Sequence, residues 1–190
     1  MKSIKQAVLV SLISLSPVVA QAAPIQWTVG SGGNGHWYEF ISTPTTAPNA
    51  FTAASGMSYL GMQGYLATIT SAAENTFVSS TVAGGALAWL GGSDAGSEGI
   101  WKWVAGPEAG QTFTYTNWAG GEPNNAGIGE HYVHTNWLSA GKWNYHGPSQ
   151  YPSQANGYVV EYSAVPEPAT LGLLASGLML LGLRRRRKIV

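Results

Sequence analysis

Residues 117–144 read NWAGGEPNNAGIGEHYVHTNWLSAGKWN and gather Glu122, Asn124, Asn125, Glu130 and Asn144 between glycines, with Pro123 set between the first two. Carboxylates and amides at this density suit a hard cation, since Ca2+ takes about six to eight oxygens from carboxylates, amides, carbonyls and water. The same composition describes a solvated, turn-rich loop, and spacing alone does not separate the two. The stretch lacks the apolar periodicity of a helix, so other parts of the chain have to position it.

Residues 25–41 carry Trp27, His36, Trp37, Tyr38 and Phe40 in partial alternation, which predicts one or two strands. A short helix is expected over 49–59, with Asn49 as its cap. Residues 64–69 read as a strand, and Ser71 with Glu74 forms a capping box that opens a second helix running to about Val82. Alternating large and small residues over 88–92 predict a strand buried on both faces, and 100–104 alternate strictly. Phe113, Tyr115 and Trp118 extend the aromatic β pattern into the long loop. After it, 130–134 and 142–144 read as two strands of a small sheet, and 157–162 as a closing strand that pairs with the N-terminal one. The expected class is α+β: two short helices on a mostly antiparallel sheet, with a long ligand-binding loop.

At 190 residues the chain has room for one domain with a genuine core. Its overall neutrality hides an asymmetry. Seven of the nine basic residues lie at the two ends, leaving Lys102 and Lys142 against eight acids between them, a formal charge of −6. A nucleic-acid partner is excluded on this count, because phosphate contacts need Lys and Arg. The absence of cysteine removes thiol nucleophiles, Cys-ligated zinc and disulfides together.

The two ends differ in character from the middle. Lys2 and Lys5, an apolar run over 7–19 and Ala20-Gln21-Ala22 have the form of a signal peptide, with cleavage expected after Ala22. Beyond Tyr162, Pro166-Glu167-Pro168 precedes an uncharged apolar run over 169–183 and the basic cluster 184–188. A helix over that run would be about 22 Å long at 1.5 Å per residue, short of the roughly 30 Å hydrocarbon core of a bilayer. The tail resembles the PEP-CTERM sorting signal of Gram-negative bacteria. That resemblance implies a transient transmembrane anchor at the inner membrane, an exosortase-type processing enzyme as partner, and delivery to the cell surface or extracellular polysaccharide. The basic cluster stays cytoplasmic by the positive-inside rule, so the domain faces outward. The expected division is 1–22 signal peptide, 23–163 domain and 164–190 sorting tail.

Glu122-Pro123-Asn124, Gly129-Glu130 and Trp143-Asn144 come in this order, after Trp101-Lys102-Trp103 and before Gly157-Tyr158-Val159-Val160-Glu161-Tyr162. Together with Ala88-Trp89-Leu90-Gly91-Gly92 they resemble a C-type lectin domain over about residues 36–162. The lack of the disulfides usual in animal members suggests a bacterial one. The resemblance implies that Pro123 is cis and turns Glu122 and Asn124 toward one point. It further implies a calcium site on Glu122, Asn124, Glu130 and Asn144, whose residues also bind the hydroxyls of a glycan. Glu-Pro-Asn at this place implies mannose-, glucose- or fucose-like sugars. Trp118, Trp137 and Tyr145 are candidate sugar-facing aromatics. Asp94, Glu98 and Asn125 match positions of an auxiliary calcium site, although Asn125 and His131 stand where that site is often acidic. Tyr145 departs from the family's Trp-Asn-Asp, so one carboxylate is missing and calcium affinity is expected to weaken.

His131 and His134 invite a zinc reading, yet with no third ligand, and on opposite faces of a strand, they read as ordinary surface or core residues. Glu122 and Glu130 have the types of a glycosidase pair, but no nucleophile–base motif accompanies them, and the chain reads as a binding module without enzymatic activity. Two readings remain open: a weakly calcium-dependent carbohydrate-binding module, and a metal-free fold of the same family used for protein contacts or matrix structure.

Overall fold

The computed structural model describes residues 22–126, 129–148 and 155–163. The leader through residue 21 and the tail from residue 164, with Pro166, Glu167 and Pro168, lie outside the described residues. In chain order the first elements are β1 (Ile25–Gln26), β2 (Trp37–Ile41), α1 (Ala47–Ser55), β3 (Ser58–Tyr59), β4 (Met62–Leu66) and α2 (Ala72–Thr76). β5 (Ala88–Ser93), β6 (Lys102–Trp103), β7 (Tyr132–Thr135), β8 (Asn144–His146) and β9 (Gly157–Tyr162) complete the α+β architecture. Among the described residues no helix is long and apolar enough to cross a membrane.

β9 is the centre of the sheet. It pairs antiparallel with β2 along one edge; on the other edge it meets β5 in parallel and β4 antiparallel. All its residues are buried, which is why the sequence GYVVEY is nearly continuous in bulk. Gly157 is required at its start, because a Cβ there would stand 1.9 Å from the Ile41 carbonyl oxygen. The sheet runs β1-β2-β9-β5-β7-β8, with β5–β9 its parallel pair. The closing strand therefore lies beside β2, and β1 forms the outer edge of that N-terminal hairpin.

Alternation along β9 divides the core in two. Tyr158, Val160 and Tyr162 pack with Ala50 and Ala54 of α1, while Val159 joins Trp101, Trp103, Val133, Trp143 and Tyr145 on the other side. The first helix differs from expectation. It begins two residues before Asn49, with Thr46 as its cap and Pro48 in the first turn, where a missing N–H costs no intrahelical bond. It ends at Ser55, and Tyr59 belongs to β3 instead. The second helix spans the expected stretch but changes form, since Phe77–Val82 continue α2 as a π-helical turn.

Glu161 shares the Val159 side of β9 and faces Glu74 of α2, both 1% exposed. The Ser71 hydroxyl accepts the Glu74 N–H as a capping box requires, but the Glu74 carboxylate does not return to the Ser71 N–H. It accepts from the Thr70 N–H and hydroxyl (2.6 and 2.8 Å), from the Tyr38 hydroxyl (2.7 Å) and from Asn34 (3.0 Å). Glu161 takes the Thr68 N–H (3.0 Å), stands 2.6 Å from His36 Nδ1, and lies 3.2 Å from the Tyr38 hydroxyl. Two buried carboxylates thus tie β2, α2 and β9 together through one tyrosine, each having hydrogen bonds that offset its desolvation.

Burial, then the nearby Glu161, pushes the Glu74 carboxyl above the ordinary carboxylate range. The hydrogen bond that His36 donates to the Glu161 carboxylate raises the imidazole above 6.5 despite its own burial. Both groups hold a proton more tightly folded than unfolded. Their stabilisation is complete below the unfolded values, 4.5 and 6.5, and is lost as pH rises through the folded ones. Melting temperature is expected to fall between pH 6 and pH 8.5, with a smaller drop in His36→Gln. Tyr38→Phe, which leaves buried carboxylate oxygens short of a donor, is expected to cost about 1–3 kcal/mol in urea unfolding.

Candidate metal and sugar site

The long loop is fixed at its base by Trp143. This residue is fully buried and its indole N–H donates to Asn75 of α2 at 2.7 Å. Its backbone meets the start of the loop, with Trp143 N–H on the Asn117 carbonyl (2.9 Å) and Ala119 N–H on the Trp143 carbonyl (2.8 Å). Asn75 and Asn117 both donate to the Gly141 carbonyl. Trp101, Phe113, Trp118 and Tyr145 surround these contacts at ring separations of 4.8–6.5 Å. In a chain without cysteine, this aromatic cluster holds the loop to the sheet.

Within the loop the Glu122–Pro123 peptide is cis. The Glu122 carboxylate accepts from the Asn124 side-chain amide (2.8 Å) and backbone N–H (3.2 Å). The Asn124 amide oxygen in turn accepts from Ala126 N–H at 2.8 Å. Glu130, buried, stands 3.4 Å from Nδ1 of His146. β8 alternates, so Asn144 and His146 share one face while Trp143 and Tyr145 enter the core. Burial pushes the Glu122 carboxyl up, Glu130 raises it further, and His146 draws it down. Glu122, Glu130 and His146 therefore lie within electrostatic reach of one another, with Asn124 against Glu122 and Asn144 on the His146 face. Glu122 and Glu130 as carboxylates, and Asn124 and Asn144 as amides, are of the ligand types that a calcium ion takes. For a sugar to reach the Asn124 amide nitrogen and the Glu122 oxygen that it holds, the Glu122–Asn124 hydrogen bond has to open.

Tyr145 stands apart from these four. Its ring is 1% exposed between Trp101 and Trp118, so it presents no face on which a sugar could stack. Its hydroxyl accepts the Asn125 N–H and braces the loop from beneath. Trp118 packs in the same cluster, and Trp137, partly exposed, packs edge-on against His134 and His146 at 5.6 Å. The Trp143-x-Tyr145 alternation carried the signal that Tyr145 points inward.

The expected auxiliary set is rearranged. Asp94, Glu98 and His131 offer ligand atoms within 4.8 Å of one another. Asn125, with φ +48°, is turned to Tyr145 through its backbone. His131 is thus no ordinary surface histidine: its Nδ1 is 2.9 Å from Asp94 Oδ1 and 3.8 Å from Glu98 Oε2. His134 is the core residue of the pair. It is fully buried, stacked on His146 at 4.8 Å, and burial lowers its imidazole to about 3.

The family model of the C-type lectin domain matches residues 57–153. The chain belongs to the C-type lectin domain family. A PEP-CTERM protein-sorting motif is matched over 164–187, which marks an exported protein. The chain is 38% identical over 141 residues to halomucin of Haloquadratum walsbyi, covering 70% of this chain and 2% of that protein. It is 40% identical over 83 residues to ladderlectin of Oncorhynchus mykiss, covering 42% of each. It therefore spans less than half of these relatives' length. Among solved structures it is similar to the C-type lectin CEL-I from Cucumaria echinata (TM-score 0.56, 30% identity, 67% of this chain and 90% of that one). It is also similar to the cow carbohydrate-recognition domain of CD23, solved in the presence of GlcNAc2Man3 oligosaccharide (TM-score 0.54, 29% identity, 69% and 90%). The family is one of non-enzymatic carbohydrate-binding domains.

The buried position of Tyr145 makes a carboxylate there costly. Tyr145→Asp, which sets an acid between two indoles, is expected to destabilise by about 3 kcal/mol or more, whereas Tyr145→Phe loses one hydrogen bond and about 1 kcal/mol. Thermal melts of both variants in chelator check the order.

Proposed function

We propose that the protein is an exported carbohydrate-binding lectin that takes Ca2+ weakly through Glu122, Asn124, Glu130 and Asn144. The same four residues hydrogen-bond a mannose- or glucose-type sugar. The observation that supports this reading is that Glu122, raised first by burial, also feels the charge of Glu130, beside two amides on a loop held to the sheet by Trp143. A bound cation would neutralise that pair, and vicinal sugar hydroxyls would replace its waters. Residues 1–22 act as the leader and 23–163 as the binding domain. The tail, 164–190, passes transiently through the inner membrane before exosortase-type processing releases the domain to the cell surface or matrix.

A second reading is favoured by a different observation. The Glu122–Asn124 and Glu130–His146 contacts give the loop internal partners for its own acids, as a metal-free module for protein or matrix contacts requires. Melting with and without calcium separates the two. The first reading expects stabilisation of about 2.7 kcal/mol at a hundredfold excess over Kd, abolished by Glu122→Gln, together with calcium-dependent retention on mannan. Identical melts in calcium and chelator, with retention on mannan absent, leave the second.

A further inference from the structure

We propose that Asp94, Glu98 and His131 form a site for a divalent transition-metal ion of the zinc class, separate from the oxygen site on the long loop. The ligand set differs from the calcium set of Asp94, Glu98 and Asn125 expected from the sequence, and the difference changes the metal. It is the pairing of β5 with β7 that creates it. Ser93 lies opposite Tyr132, and the Asp94 N–H donates to the His131 carbonyl at 3.3 Å, so the imidazole faces the carboxylate that follows β5.

Asp94 is oriented before any ion arrives. It is 1% exposed, and its Oδ2 accepts the Gly99 N–H at 2.8 Å, which leaves Oδ1 toward His131. Such support around a ligand fixes its direction and raises affinity. A turn, closed by Ser97 N–H on the Asp94 carbonyl at 2.8 Å, returns Glu98 to the same place. Around an ion at about 2.0–2.2 Å from N and O ligands, tetrahedral ligand atoms stand about 3.3–3.6 Å apart. The observed separations from His131 Nδ1, 2.9 Å to Asp94 and 3.8 Å to Glu98, bracket that value. The Glu98 side chain is 55% exposed and free to close on the ion, with water completing the shell from the solvent side.

One imidazole and two carboxylates select against calcium, which needs six to eight oxygens; an imidazole suits zinc, nickel or copper. The ion would join the 94–99 loop to β7 next to Glu130, bracing a domain that has no disulfide.

The test uses the purified full chain, stripped with chelator and titrated with zinc chloride or calcium chloride, by calorimetry and thermal melting. Zinc is expected to bind one equivalent and raise the melting temperature. His131→Gln and Glu98→Gln are each expected to weaken zinc by about tenfold or more. Glu98 is exposed, so its variant folds whatever the fate of His131→Gln. Cobalt substitution is expected to give the visible spectrum of a tetrahedral nitrogen–oxygen site. The proposal is overturned if zinc leaves the melt unchanged, if its effect survives unaltered in Glu98→Gln, or if calcium outcompetes zinc for the response that Glu98→Gln removes. The calcium response lost in Glu122→Gln belongs to the long-loop site, so failure of either site is read independently.

Discussion

The rest of the structure depends on Trp143, whose buried indole joins a helix, a strand and a loop that have no covalent link. One face packs among Trp103, Phe113, Tyr115 and Trp118, its N–H satisfies Asn75, and its backbone supplies the bridge to residues 117–119. A long loop is entropically costly to order. Aromatic burial of this extent, with every ring pair adding to the area term, is the force that offsets the cost here. It takes four of the chain's eight tryptophans, Trp101, Trp103, Trp118 and Trp143.

The position of Trp143 dictates the chemistry beside it. Once it enters the core, the pleat of β8 turns Tyr145 into the same cluster and sends Asn144 and His146 to the opposite face, where they too are buried. A carboxylate at 145 would have to be reached by the loop from the core side; a tyrosine there contributes a hydroxyl to the Asn125 backbone and its ring to the cluster. Where the family resemblance implies a carboxylate this chain has packing, and His146 on the opposite face of β8 stands beside Glu130.

What the sequence disclosed follows the range of the interactions involved. Local signals held: the Ser71 cap, the buried strand at Ala88, the closing strand over 157–162, and the motif order that marks the family. Helix α1 starts earlier than Asn49, since Pro48 suits its first turn, while Thr46 makes no side-chain capping bond. Non-local features did not show. Glu74 abandons its own cap for Tyr38 and Asn34 because the N-terminal hairpin packs over it, and no pattern within 71–76 encodes that. His131 looked ordinary because its partners, Asp94 and Glu98, are more than thirty residues away and meet it only through the β5–β7 register.

The loop's own hydrogen bonds then set the balance at the oxygen site. Opening the Glu122–Asn124 pair gives up a charge-assisted bond, on the order of 1.5–3 kcal/mol, before any sugar contact is gained. Against this, a cation removes the repulsion between Glu122 and Glu130 and keeps both amides as ligands. With two carboxylates, not three, the electrostatic gain is smaller while the cost of opening is unchanged. A calcium site here would be weak for a reason that lies in the whole loop, the same compaction around Trp143 and Tyr145 that packs it against the sheet. A sugar that accepts from Asn124 and donates to Glu122 would satisfy the groups the opening frees, which is why ion and glycan are expected to bind together more tightly than either alone.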